Sequence, residues 1–322
     1  MNREILKNIL GYICCDDEKN EEALKILLNM DEQYMGDYLV NFVENRYAYK
    51  LISKSDLQNI MNELKKLKFK EFKYQKKLKS KIDYIYEKYA KTEDLKKNHK
   101  EINVLFEELN KFLNENNIDY YHTGGILTYF LTNTPLNRFH HDMDVFINYK
   151  DLSKLENLIK NSNGKFQFIR DWGDRDDGKK SRFFKIKYNK SDIPITIIMF
   201  ERQKNGGVIQ KDYFLSENNL YCENIYNSSE CSKLSFEEEK QYKKDGIPYK
   251  TISLEALYCS KESLGREKDK KDCEIIKKHI NQSKAKRLKE ILKNQKANKT
   301  YIVNDKDIIS FICKENEIER VI

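Results

Sequence analysis

From residue 1 to about 117, leucine, isoleucine and tyrosine recur at spacings of three and four, as in Ile5, Ile9 and Ile13 and again in Leu57, Ile60, Met61, Leu64 and Leu67. No proline and only two glycines, Gly11 and Gly36, fall in this stretch, so it reads as a run of amphipathic helices. Ser55, with Gln58 three residues on, is the expected cap of the helix carrying Leu57 to Leu67, and Ser53 is the competing choice. The basic run Lys65 to Lys81 keeps helical spacing through Leu67, Phe69, Phe72, Tyr74 and Leu78. An exposed helix face over a small core accounts for it better than an RNA-facing helix, because interleaved aromatics at this spacing pack. A further helix spans Glu101 to Asn114, with Val104, Leu105, Leu109, Phe112 and Leu113 on its apolar side.

The period then changes. Ile118 to Thr123 is extended, Gly124 and Gly125 close it, and Ile126 to Leu131 suits a short helix. Met143, Val145 and Ile147 alternate with Asp142 and Asp144; on a strand, both carboxylates share one face and the aliphatic side chains the other. Asp151 to Asn161 is an amphipathic helix, ended at Gly164, and a strand starts at Phe166. Asp171 to Gly178 reads as a solvated, charged hairpin loop, since the closing glutamate of a calcium loop is missing. Ser181 to Tyr188 and Ile193 to Phe200 are strands, the second almost wholly aliphatic and so expected at the centre of a sheet. Asn205-Gly206-Gly207 is a hairpin turn that returns through Val208 to Leu215, whereas Ser216 to Asp245 is polar and irregular. Ser253 is the expected cap of a helix beginning Glu255, Ala256, Leu257, and Glu274 to Leu292 and Asp305 to Cys313 are helical again.

Composition narrows the class. The chain has 322 residues, 39% of them hydrophobic, with Tyr 21 and Phe 16, enough for two or three packed domains and against wholesale disorder. Lys+Arg 60 against Asp+Glu 52 leaves a net charge of +8, which suits a phosphate-rich partner such as a nucleotide or RNA and equally a solvated lysine surface. The tract Lys284 to Lys299 has the same two readings, an RNA backbone contact or a solvated tail. Seven scattered cysteines, without C-x-x-C spacing, point to neither a zinc site nor a disulfide framework, so a reducing cytoplasm is the expected location. No run approaches the roughly 18 apolar residues of a membrane span, and Met1 to Leu10 lacks the apolar core of a signal peptide.

One stretch carries chemistry. Two glycines at a strand-to-helix turn let the backbone approach a phosphate and aim its amides at it. Paired carboxylates on a strand can fix a hard divalent cation against a nucleotide's phosphates. Gly124, Gly125, Arg138, His140, Asp142 and Asp144 together resemble the nucleotidyltransferase superfamily whose best-known member is DNA polymerase beta. Their arrangement looks like that of the aminoglycoside and lincosamide nucleotidyltransferases and the related abortive-infection type II toxin proteins. A second point of similarity is Lys261 followed by Arg266, Lys268, Asp269 and Asp272, a helix lysine and then an Arg-x-Lys-Asp-x-x-Asp element.

The resemblance covers roughly residues 100 to 280. It implies an α/β (α+β) fold: a nucleotidyltransferase core with a mixed sheet at 99–248, flanked by helical regions at 1–98 and 249–322. The implied activity is Mg²⁺-dependent (or Mn²⁺-dependent) transfer of a nucleoside monophosphate from an NTP to a hydroxyl. Asp142 and Asp144 would hold the metal, while Thr123, Gly124, Gly125, Arg138, Lys261, Arg266 and Lys268 would bind the nucleotide. His140, His141, Asp269 and Asp272 would support them; for the two aspartates a capping and ion-pair cluster between helices is an equal reading. Relatives carry a third carboxylate, the base, on the central strand. Its expected position here is Thr196, which cannot take a proton. Glu201 or Asp192 substitutes, or the chemistry is slower, or the protein binds nucleotide without transferring it. RNA, tRNA in particular, is slightly favoured as acceptor over a small hydroxylated molecule such as an antibiotic. The remaining alternative is a catalytically weak or inactive nucleotide- or RNA-binding module.

Overall fold

A computed structural model describes residues 2–13, 17–48, 52–70, 72–89, 92–174, 179–216, 219–236, 242–295 and 298–313. The chain divides into two compact units, Met1–Ala90 with Asp174–Gly178, and Lys91–Gly173 with Lys179–Ile322.

The first unit is helical: α1 (Asn2–Ile13), α2 (Asp17–Leu28), α3 (Glu32–Ala48), α4 (Lys54–Lys66) and α5 (Phe72–Tyr89). Its core buries Leu6, Ile9, Val43, Ile60, Leu64 and Ile82, the positions that the three-and-four spacing aligns. The cap of α4 is Ser53 rather than Ser55. The Ser53 hydroxyl accepts from the Asp56 amide and Asp56 answers the Ser53 amide, closing a capping box that Gln58 does not enter. The basic run is two helices, broken between Lys66 and Phe72.

The second unit begins with α6 (Thr92–Glu115), which runs unbroken through residues 98 and 99. Then come β1 (Tyr120–Thr123), α7 (Ile126–Thr132), β2 (Met143–Asn148), α8 (Leu152–Lys160), β3 (Phe166–Asp174), β4 (Lys180–Tyr188), β5 (Ile195–Arg202), β6 (Val208–Ser216) and β7 (Asn219–Asn227). After α9 (Ser229–Ser235) and the ribbon β8 (Tyr242–Lys244) and β9 (Ile247–Tyr249) follow α10 (Leu254–Leu264), α11 (Glu267–Ile276), α12 (Gln282–Lys293), β10 (Lys299–Ile302) and α13 (Lys306–Ile312). The class is mixed α/β. Strands lie in the order β1-β2-β5-β4-β6-β7-β10, with β3 on β4 and a further β5–β6 pairing. Among the described strand pairs only β2 and β5 run parallel.

Central β5 has β2 on one side and β4 then β6 on the other, as its aliphatic sequence predicts. Met143, Val145, Ile147, Ile195, Ile197 and Phe184 face α6, α8 and α13 across one core. On the opposite face Tyr121, Phe200 and Val208 pack with Leu257, Tyr258, Ile276 and Ala285 of α10, α11 and α12.

Two stretches depart from the sequence reading. Asp171 to Asp174 belongs to β3 and is not a loop, and the rest of the expected loop, 175–178, lies outside the described residues. Ser216 to Asp245, read as irregular, holds β7, α9 and β8. Leu220, Cys222 and Asn224 are buried on alternate positions of β7, which pairs along its full length with β6. Among the described residues no helix is long and apolar enough to cross a membrane.

Candidate nucleotide site

Strand pairing draws one row across four strands. Thr123 on β1 lies opposite Asp144 on β2, Asp144 beside Thr196 on β5, and Thr196 opposite Lys185 on β4. Paired residues share a face, so these four side chains stand on one side of the sheet. The alternation inferred for Asp144 therefore holds. Asp142, at the same parity, sits exposed just ahead of β2.

Beyond Thr123 the chain turns through Gly124 at φ +83 into α7. The turn touches the carboxylate directly: a Cβ on Gly124 would lie 2.2 Å from Asp144 Oδ2. One on Gly125 would lie 2.3 Å from Arg138 Nη2 and 3.5 Å from His140 Cε1. Each glycine is thus required by what packs on it, and the first also by its left-handed backbone. Burial first, and then the charge of Asp142, push the Asp144 carboxyl up to about 7 against the pull of Lys261, Lys268 and Arg266. A cation placed between the two carboxylates would relieve that repulsion.

The loop between α7 and β2 is pinned from α6. The Asn98 side chain donates to the His140 carbonyl at 2.9 Å and accepts from the His140 amide at 3.0 Å, and His99 Nε2 lies 2.9 Å from the Arg138 carbonyl. His140 itself is buried, its Nε2 has no protein partner, and burial followed by the nearby Arg138 charge holds it well below the ordinary histidine range. His141 is exposed and stacks on Phe139 with 5.9 Å between ring centres.

The second motif folds back onto the first. Residues 250 to 252 run beside β1, where the His122 amide donates to the Lys250 carbonyl at 2.9 Å and the Ile252 amide to the His122 carbonyl at 3.1 Å. Ser253 caps α10 as expected, its hydroxyl accepting from the Ala256 amide. Gly265, left-handed at φ +62, ends α10, and α11 starts at once. Asp272, fully buried, then accepts from Lys261 Nζ, from Arg138 Nη2 at 3.0 Å and from the Tyr129 hydroxyl at 3.1 Å. Asp269 is bound by Lys261 and by Arg266, whose Nη2 is 3.2 Å away. Burial raises its pKa, but the bond and charge of Arg266, with Lys261, outweigh that and hold it below the usual carboxylate range. The two aspartates are therefore an ion-pair cluster between helices, and that cluster fixes Arg138, Lys261 and Arg266 beside the glycine turn.

The two substitutes for a third carboxylate do not join the row. Glu201 has the parity of the opposite face and pairs with Lys211 at 3.1 Å. Asp192 is exposed ahead of β5, and its amide donates to Glu101 Oε1 at 2.8 Å. Asn98, His99, Tyr129 and Lys185 escaped sequence reasoning. The signal for Asn98 was a polar residue on the buried side of a helix pattern. Nothing local marks Lys185, which strand pairing alone places.

No family model matches the chain, and no curated protein matches it. Solved structures that resemble it include an aminoglycoside-resistance nucleotidyltransferase and a nucleotidyltransferase-like protein. The solution structure of the antibiotic-resistance factor ANT(2'')-Ia is 13% identical, with a TM-score of 0.42 over 61% of this chain and 93% of that one. A crystal structure of ANT(2'')-Ia with adenylyl-2''-tobramycin is 13% identical at a TM-score of 0.41, covering 60% and 97%. An antigenic nucleotidyltransferase-like protein from Paracoccidioides brasiliensis is 17% identical at a TM-score of 0.35, covering 61% and 87%. At scores below 0.5 these likenesses decide nothing about the chemistry, and the residues themselves must carry it.

Among the described residues no three His, Cys, Asp or Glu side chains group into a metal cage. A pair of carboxylates suits Mg²⁺ when substrate phosphates and water complete its shell. The donor set present therefore fits a metal that arrives with a nucleotide.

Proposed function

We propose that this protein is a Mg²⁺-dependent nucleotidyltransferase, moving a nucleoside monophosphate from an NTP to a hydroxyl and releasing pyrophosphate. The observation that supports it most is the Asp144 carboxylate seated against Gly124, where a Cβ would come within 2.2 Å of Oδ2. That contact sets an acid beside a strand-to-helix turn, where backbone amides would meet a phosphate. Asp142 and Asp144 would hold Mg²⁺ or Mn²⁺, and the bound cation would neutralise charge on the triphosphate. The Gly124–Gly125 turn and Thr123 would take the β and γ phosphates. Arg138, fixed through Asp272, adds a guanidinium above Gly125, and Lys268 supplies further positive charge. Lys261 and Arg266, bound to Asp272 and Asp269, set the field of the site through those pairs. His140, neutral and with Nε2 unpaired, offers one hydrogen bond at the edge of the turn.

Thr196 in the row beside Asp144 favours a second reading, in which the nucleotide is bound and not transferred. Incubation with Mg²⁺ and each labelled NTP, alone and with total tRNA, separates the two. Label in RNA or another hydroxyl acceptor, lost in Asp144→Asn, supports transfer. Saturable binding with no product supports the second reading, and absence of binding refutes both.

A further inference from the structure

Away from the glycine turn, the row through Asp144 continues as Thr196 on β5 and Lys185 on β4, a hydroxyl and an ammonium where further acids could have stood. Every other carboxylate in the neighbourhood is paired with a cation or placed elsewhere. Asp171, on β3, pairs with Lys185 at 3.0 Å, and β4 lies between β3 and β5. Asp269 and Asp272 are held by Arg266, Lys261 and Arg138. Glu201 pairs with Lys211 on the opposite face, and Asp192 is exposed ahead of β5. Among the described residues no third His, Cys, Asp or Glu completes a metal-binding group with Asp142 and Asp144.

That census limits how many ions the site can take. Mg²⁺ is satisfied by one or two carboxylates with substrate phosphates and water, so the pair suffices for one ion that arrives with a nucleotide. A second ion would sit about 3.5–4 Å from the first. Strands are about 4.8 Å apart, so on the β5 side it would meet the neutral Thr196 hydroxyl, with the Lys185 strand next beyond. A hydroxyl brings no charge to offset the loss of the ion's water, and an ammonium nearby repels it. Lys185 also engages Asp171, the acid on the next strand, and so withholds it from a metal. We propose that the site holds one divalent ion per chain, not two, and that Thr196 and Lys185 set that number. The proposal rests on the nucleotide site described above. Its consequence is a metal requirement that saturates in a single step, and a second ion position that opens only when an acid replaces Thr196.

The test counts bound Mn²⁺ by electron paramagnetic resonance on the full chain, loaded with one equivalent of an NTP analogue whose α–β bridge is methylene, so that no transfer occurs. The wild type should hold one Mn²⁺ per chain at saturation, a count that needs no variant. Thr196→Asp, with its circular dichroism unchanged, should hold two. Adding Lys185→Ala to Thr196→Asp should tighten the second ion about fivefold or more, because it removes a cation and releases Asp171. Two ions in the wild type overturn the proposal and leave the nucleotide site standing. A folded Thr196→Asp chain that still holds one ion, with or without Lys185→Ala, overturns the role given to Thr196 and Lys185. Failure of the wild-type chain to bind the analogue at any Mn²⁺ concentration overturns the underlying reading and this one with it.

Discussion

Replacing Gly124 by alanine puts a methyl group where Asp144 Oδ2 lies 2.2 Å away, Cγ 3.0 Å and Cβ 3.1 Å, on a backbone held at φ +83. Two costs follow. A non-glycine residue in the left-handed region costs roughly 1–2 kcal/mol. Driving Asp144 off its rotamer into packed neighbours adds roughly 1–2 kcal/mol more. The variant should therefore unfold with about 2–4 kcal/mol less stability, and a site displaced by about 1 Å should lose on the order of a hundredfold in transfer. The chain's single tryptophan, Trp172 on β3, packs on the first core of the second unit, so its fluorescence in urea follows the unit that carries the site. Removing the carboxylate separates the costs. In the Gly124→Ala/Asp144→Ala pair only backbone strain remains, so the double-mutant cycle should return a coupling of about 1–2 kcal/mol. A coupling within about 0.3 kcal/mol of zero would show that Gly124 and Asp144 are not in contact, and the argument built on that contact would fail.

Asp272→Ala strips Lys261 and Arg138 of a shared buried partner and should cost about 3–5 kcal/mol in urea unfolding; an effect below about 1 kcal/mol would mean the cluster is dispensable. Asn98→Ala frees both backbone groups of His140, so about 1–3 kcal/mol of stability and much of the activity should go together; intact activity would show that α6 does not position the loop. Asp119 supplies a pH test. Burial raises its pKa, but hydrogen bonds from Arg202 and Asn148, with the charges of Arg202 and Lys250, hold it below the ordinary value. A depressed folded pKa contributes stability that is complete above the unfolded value near 4 and disappears as pH falls through the folded one. The gap in unfolding midpoint between wild type and Asp119→Asn should thus be widest at neutral pH and close below about pH 4, and a gap independent of pH would refute the assignment.

The parts of the site legible in the sequence are those fixed by short-range rules. A glycine pair after an extended run, and carboxylates two apart among aliphatic residues, need only the geometry of a turn and a strand, and β1, α7 and β2 fall where that geometry puts them. Long-range partners leave no such mark. Arg138 meets Asp272 across 134 residues, and Asn98 meets His140 across 42, so neither pairing has a local spacing to betray it. The same holds for Lys261, whose helix position was clear while its engagement with Asp269 and Asp272 depended on how α11 turns back after Gly265. β7 looked irregular because half its positions are polar, and what makes it a strand is nine paired residues on β6. Ser53 and Ser55 are equivalent as residue types; Asp56 at the third helical position decides between them.

Metal-dependent nucleotide binding tests the central claim most directly. Titration calorimetry of the full chain with each NTP should give saturable binding in Mg²⁺, binding weakened by an order of magnitude or more in excess chelator, and the same loss in Asp142→Asn/Asp144→Asn at an unchanged melting temperature. Equal affinity with and without Mg²⁺, or in the wild type and the double variant alike, would contradict the assignment of these two aspartates and the glycine turn to a metal-bound triphosphate.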